Sequence, residues 1–132
     1  MMAKAIHSMV RVLDEGRAVK FYHDAFGLNV ADRIDFPDFT LLYMSNAEQP
    51  FEVELTVNKG RTEPYQLGDG YGHLAVSVAD LDEERARMDA AGLSPGPVRE
   101  LSHEGKVLGR FFFISDPDGY KIEVLQRGGR FA

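Results

Sequence analysis

Two histidine–glutamate pairs in this chain are placed to do chemistry: His7 with Glu54, and His73 with Glu123. Each histidine opens an alternating apolar stretch, HSMVRV or HLAVSV, and each glutamate sits inside another, FEVELTVN or YKIEVLQ. The glutamates follow their histidines at nearly equal spacing (54 − 7 = 47 and 123 − 73 = 50 residues). A carboxylate beside a sheet core is costly unless it is paired or holds a metal. Four imidazole and carboxylate donors around one point form a set suited to Ni²⁺, Co²⁺, Zn²⁺ or Mn²⁺, with room for water. Each residue also has a plainer reading. A lone strand histidine commonly bonds to backbone. Glu54 shares a strand face with Glu52 and Thr56, and Glu123 with Lys121, so either carboxylate is compatible with a solvated face. The repetition ties the four positions together and favours the metal.

The elements that must carry these residues repeat as well. Lys4–Val12 alternates as a strand, with Ile6, Ser8, Val10 and Val12 on one face. Asp14 is positioned to cap a helix running to about Phe26, with Ala18, Val19, Tyr22, Ala25 and Phe26 as its apolar stripe, and Gly27 ends it. Strands are expected over Leu28–Phe36, Phe39–Ser45 and Phe51–Asn58. Residues 59–70 form a polar linker. The pattern then restarts: a strand over Gly72–Val78, a helix capped by Asp80 and Glu83 and ending near Ala91, and strands over Val98–Leu101, Arg110–Ser115 and Tyr120–Gln126. Leu101–Gly109 is expected to be a polar loop carrying His103, and the tail from Arg127 to be frayed. The helices end alike, in AFGL and AAGL, with Gly27 and Gly92 lying 27 − 7 = 20 and 92 − 73 = 19 residues beyond their histidines. The chain therefore reads as one α+β domain of two βαβββ modules, about 4–58 and 71–126. Asp116-Pro-Asp-Gly119 is a turn that delivers the last strand, with Pro117 presetting φ.

Composition narrows the class. The chain has 132 residues, enough for one domain with a real core, and 44% hydrophobic with 27% charged content is that of a soluble globular protein. A net charge of −6 leaves no basic footprint for nucleic acid. No apolar run is long enough to span a membrane, and Met1–His7 has no signal-peptide pattern. Cysteine is absent, which rules out disulfides, thiolate metal sites and a cysteine nucleophile, and fits a cytoplasmic protein. Of the other histidines, His23 falls on the surface of the first helix and His103 in the polar loop.

HSMVRV, FYHDAFGL, VELTVN, YGHLAVSV and DPDGYKIEVL, in that order, resemble glyoxalase I (lactoylglutathione lyase) of the vicinal oxygen chelate superfamily. The resemblance runs from about residue 5 to 126. It implies that His7, Glu54, His73 and Glu123 are metal ligands and that Arg11 and Asn58 bind the glutathione part of the substrate. A short chain with histidine at the first ligand position is similar to the compact bacterial form, which favours Ni²⁺ or Co²⁺ over Zn²⁺. The resemblance also implies a homodimer whose cupped sheets share the site between chains, the alternative being a site closed within one chain. One departure is notable. Longer members carry a basic glutathione-contacting residue four positions before the second histidine, where this chain has Asp69; the stretch near Lys106 is a candidate substitute.

The implied reaction is isomerisation of the methylglyoxal–glutathione hemithioacetal to S-lactoylglutathione. Its C–H proton is too weakly acidic for an unaided carboxylate, so a divalent ion must stabilise the enediolate. Glu123 is the expected base, with Glu54 the second candidate. Rival readings are an epimerase, thiol transferase or iron-dependent dioxygenase of the same superfamily, or a metal-free binding protein of the bleomycin-resistance type. A fourth ligand at Glu54 counts against the dioxygenase, and filled ligand positions count against the binding protein.

Overall fold

The computed structural model describes residues 1–132. They divide into two compact units, Met1–Gln66 and Leu67–Ala132. The first unit runs β1 (His7–Arg11), α1 (Glu15–Phe26), β2 (Asn29–Asp35), β3 (Phe39–Asn46) and β4 (Gln49–Asn58). The second runs β5 (Leu74–Val78), α2 (Leu81–Ala90), β6 (Arg99–His103), β7 (Lys106–Ser115) and β8 (Lys121–Gln126). Each unit is therefore βαβββ, and each folds its strands into one mixed sheet with the same order: β1-β4-β3-β2 and β5-β8-β7-β6. The α+β architecture expected from the repeat is the one observed. No helix is long and apolar enough to cross a membrane.

Local chemistry explains the element ends. The Asp14 carboxylate accepts the Arg17 amide at 2.7 Å and the Asp80 carboxylate accepts the Glu83 amide at 3.0 Å, so both helices start on an acidic cap. At the end of α1, the Leu28 amide reaches back to the Tyr22 carbonyl and the Gly27 amide to that of His23. That closing motif takes Leu28 out of the strand expected there, and β2 starts at Asn29. The buried stripe of α1 is Ala18, Phe21, Tyr22 and Ala25. Val19 and Phe26, expected within it, are half-buried, and Phe21 takes the central place.

In the second unit the expected polar loop over Leu101–Gly109 is instead a hairpin. Glu104 and Gly105 both adopt the left-handed region (φ 52° and 76°), which gives the two-residue turn whose twist matches flanking strands. The register shifts between Leu101 and Ser102, which sit opposite Gly109 and Val107, so β7 carries one bulged residue there. His103 consequently ends β6, exposed, opposite Lys106. Nor is the tail frayed: Gly129–Phe131 forms a 3-10 turn. A Cβ at Gly109 would lie 2.9 Å from the Phe131 ring, so the glycine is what lets the tail close over β7.

The core of the first unit is built from Leu42, Met44, Val53 and Leu55 of the sheet, Val12 just past β1 and the buried stripe of α1. In the second, Phe112, Ile114, Ile122 and Val124 pack with Leu81 and Met88 of α2. Strand periodicity then sends Glu54 and Glu123, one residue away from Leu55 and Val124, to the opposite face of their sheets.

Candidate metal and catalytic site

Parallel pairing sets the histidines against the glutamates. In the β1–β4 register Met9 lies opposite Glu54; in the β5–β8 register Ala75 lies opposite Glu123. Each glutamate thus faces the residue two places after its histidine. Opposite residues of a parallel pair share a face, and so do residues two apart, which puts His7 and Glu54 on one face of the first sheet; His73 lies one residue before β5 rather than within the strand expected over Gly72–Val78, and approaches Glu123 from there. The side chains meet: His7 Nε2 lies 3.0 Å from Glu54 Oε2, and His73 Nε2 lies 3.4 Å from Glu123 Oε1.

These separations suit a metal. Two donors bound about 2.1 Å from one ion, at an angle of roughly 90–110°, stand about 3.0–3.4 Å apart. They also suit a plain ion pair. No group of three or more metal-ligating side chains forms; each unit brings one histidine and one glutamate together.

Burial separates the glutamates from ordinary surface acids. Glu54 is only 8% exposed, which removes the reading of a solvated strand face. Its cost is met by two partners. Tyr43, directly opposite on β3, donates its hydroxyl to Glu54 Oε1 at 3.1 Å, and His7 faces Oε2. Burial first, and the bond to Glu54 second, push the Tyr43 phenol above its usual range, so it remains a donor at neutral pH. Glu123 is half-buried, and the residue opposite it on β7 is Phe113, which has no hydroxyl. The aromatic rings stand edge-on to the histidines in both units: 5.8 Å and 69° for His7–Tyr43, 5.2 Å and 79° for His73–Phe113.

Arg11 follows His7 by two strand repeats on the same face of β1, opposite Thr56, and is exposed. Asn58 ends β4 on the Glu54 face, and its amide donates to the Tyr65 hydroxyl at 3.0 Å. Tyr65 is in turn covered by the Arg61 guanidinium, 4.3 Å from its ring centroid. An open cleft of about 390 Å³ adjoins this site half, lined by Ile6, His7, Asp32, Ile34, Tyr43 and Glu52. Asp69 is exposed before β5, and Lys106 is exposed beside the tip of the β6–β7 hairpin.

Tyr43 and Tyr65 are the neighbours that sequence reasoning missed. A signal for Tyr43 existed in the repeat: Tyr43 and Phe113 are aromatics lying 54 − 43 = 11 and 123 − 113 = 10 residues before the two glutamates.

Comparison with known proteins bears on this arrangement. The chain is 35% identical to a probable lactoylglutathione lyase of Synechocystis sp., over 95% of this chain and 96% of that protein. It is 36% identical to the lactoylglutathione lyase of Haemophilus influenzae, over 92% of this chain and 90% of the relative. The solved structure of the trypanothione-dependent glyoxalase I of Leishmania major superimposes with a TM-score of 0.76 at 32% identity, covering 95% of this chain and 87% of that one. Plant relatives are longer, and the chain spans 36% and 44% of two of them. The family model for the glyoxalase/bleomycin resistance protein/dioxygenase superfamily matches residues 4–124, and the chain belongs to that superfamily.

Proposed function

We propose that the protein is a metal-dependent lactoylglutathione lyase of the glyoxalase I type, a single domain of two modules, 4–58 and 71–126. The observation that carries this reading is the recurrence of one His–Glu contact in the same strand register of both units. Identity of about a third with lactoylglutathione lyases over nearly the whole chain supports it. His7, Glu54, His73 and Glu123 would hold one divalent ion, with Ni²⁺ or Co²⁺ favoured over Zn²⁺ by the resemblance to the compact bacterial form. When bound, such an ion supplies positive charge beside the developing oxyanion.

The chain's own groups do the rest. Glu123 takes the proton from the hemithioacetal carbon at a carboxylate oxygen and returns it to the neighbouring carbon, while the hydroxyl proton passes from the first oxygen to the second, so one C–H and one O–H bond break, one of each forms and the composition is unchanged. Arg11 sets a fixed cation for a substrate carboxylate, and Asn58 orients the thiol-bearing part. A chain without cysteine handling a free thiol suits a reducing cytoplasm.

The test is to load the protein with Ni²⁺ and supply methylglyoxal with glutathione. Thioester formation that depends on both metal and thiol is expected. Metal-loaded protein that forms no thioester with any thiol contradicts the reading.

A second reading keeps the reaction but changes the thiol. Asp32 and Glu52 line the cleft beside His7, and Asp69 stands where the resemblance to glyoxalase I implies a basic residue. Such acids repel the carboxylates of glutathione and favour a less anionic or cationic thiol. The Leishmania relative is described as trypanothione-dependent. Ranking kcat/KM across thiols of different charge separates the two readings.

The same proposal has two chains share each site, with His7 and Glu54 from one and His73 and Glu123 of the partner subunit. Mixed dimers of Glu54→Gln and Glu123→Gln should then regain about a quarter of wild-type activity under random pairing. Continued inactivity of demonstrated mixed dimers rejects sharing.

A further inference from the structure

The two glutamates have matching neighbours on both flanking strands, and the one polar group that differs bears directly on their chemistry. Each faces a histidine from the neighbouring parallel strand, and each lies opposite an aromatic ring on the neighbouring antiparallel strand. The rings hold nearly the same edge-on relation to the histidines. What differs is the hydroxyl: Tyr43 donates to Glu54 Oε1 at 3.1 Å, and Phe113 offers Glu123 nothing. Glu54 is thereby held at both oxygens, and Glu123 at one.

We propose that Tyr43 is a positioning residue that makes the two glutamates unequal, fixing Glu54 as a permanent metal ligand and leaving Glu123 as the carboxylate free to carry the proton. This rests on the metal-site reading above. A carboxylate whose second oxygen is tied by a hydroxyl cannot rotate that oxygen toward a substrate without breaking the bond. Hydrogen bonds to ligating carboxylates fix their orientation and raise metal affinity. The Tyr43 hydroxyl therefore does for Glu54 what would be harmful at Glu123. Since Glu54 is the more buried of the two, the pinned carboxylate is also the one that water reaches less.

The experiment exchanges the hydroxyl. Ni²⁺ affinity is measured by calorimetry, and kcat and KM at saturating Ni²⁺, for wild type, Tyr43→Phe, Phe113→Tyr and Glu54→Gln, with melting curves on each. Tyr43→Phe should weaken Ni²⁺ binding about tenfold. Phe113→Tyr should keep or tighten Ni²⁺ binding while kcat falls about tenfold and KM holds, because the added hydroxyl ties the moving carboxylate. A Tyr43→Phe protein that binds Ni²⁺ like wild type, alongside a Glu54→Gln protein that has lost affinity, overturns the positioning role alone. A Glu54→Gln protein with wild-type Ni²⁺ affinity overturns the metal role of Glu54, and the role of Tyr43 with it. If Phe113→Tyr fails to fold, the Tyr43→Phe and Glu54→Gln pair still decides.

Discussion

The two halves of this chain share a plan and differ in how they fill it. Both are βαβββ with the same strand order, yet α1 buries Ala18, Phe21, Tyr22 and Ala25 while α2 buries only Leu81 and Met88. The last two strands of the first half are joined around Asn46, whose side chain accepts the Glu48 amide at 3.0 Å. Those of the second half are joined by Asp116–Gly119, where the buried Asp116 carboxylate accepts the Asp118 and Tyr120 amides, each at 2.9 Å. Core and turn chemistry are interchangeable so long as the parallel register survives. That register sets each histidine two residues before the partner of its glutamate, and it is what the halves keep. The His–Glu contact is specified by strand pairing, not by its immediate sequence neighbours.

The sharpest way to break the likeness is to change the glutamates one at a time. Glu123→Gln should lower kcat by roughly 10²–10⁴-fold, because an amide cannot accept the proton. Glu54→Gln should act chiefly through lost metal, so that its activity recovers partly at high Ni²⁺ where that of Glu123→Gln does not. Titrating both variants with Ni²⁺ under assay conditions separates the two effects. Equal recovery would make the glutamates equivalent.

Next in size are the core residues behind them. Leu55 and Val124 each follow a site glutamate and are fully buried. Leu55→Ala should cost about 2–5 kcal/mol in urea denaturation, and Val124→Ala less, since it removes one carbon fewer. A larger loss at Val124 would mean that the second half carries more of the stability than its smaller helix contact suggests.

Much of this was legible in the sequence. Histidines at the start of alternating strands and glutamates among apolar neighbours repeat at nearly constant spacing, and capping aspartates mark both helices at short range. What failed was long-range or disguised. The β6–β7 hairpin turns on Glu104-Gly105, which lacks the asparagine or aspartate that advertises such a turn, in a stretch polar enough to pass for a loop. The tail's anchor, Phe131 against Gly109, joins residues far apart in sequence and leaves no local signal. Tyr43 was missed because only the β3–β4 register reveals what lies opposite Glu54.

Smaller effects compare the turns. Asp116→Ala removes two bonds from backbone amides to a buried carboxylate and should cost about 2–3 kcal/mol, against about 1–2 kcal/mol for Asn46→Ala at a half-buried position, which loses the bond from the Glu48 amide and its own bond to the Phe26 carbonyl. Equal costs would show that burial of the turn does not matter.

The smallest is a pH effect confined to the first half. The Asp35 carboxyl is held below its usual 3.8 by Lys59 first, 2.9 Å away, and by the Thr40 hydroxyl at 2.8 Å. Its folded pKa is depressed, so its contribution is present above the unfolded value and lost as pH falls through the folded one. Asp35→Asn should therefore be slightly less stable than wild type at neutral pH, and the gap should close below pH 3.8. A gap that persists in acid would assign the effect to packing.

The central claim is that two half-sites, two donors each, hold a single ion. Metal stoichiometry tests it most directly, by elemental analysis and calorimetry on wild type, His7→Ala and His73→Ala. The account predicts about one divalent ion per chain in wild type, and loss of tight binding in both variants, because each removes a ligand from the same four-donor set. Two ions per chain, with each variant losing only one, would mean that each His–Glu pair binds its own metal and would contradict it.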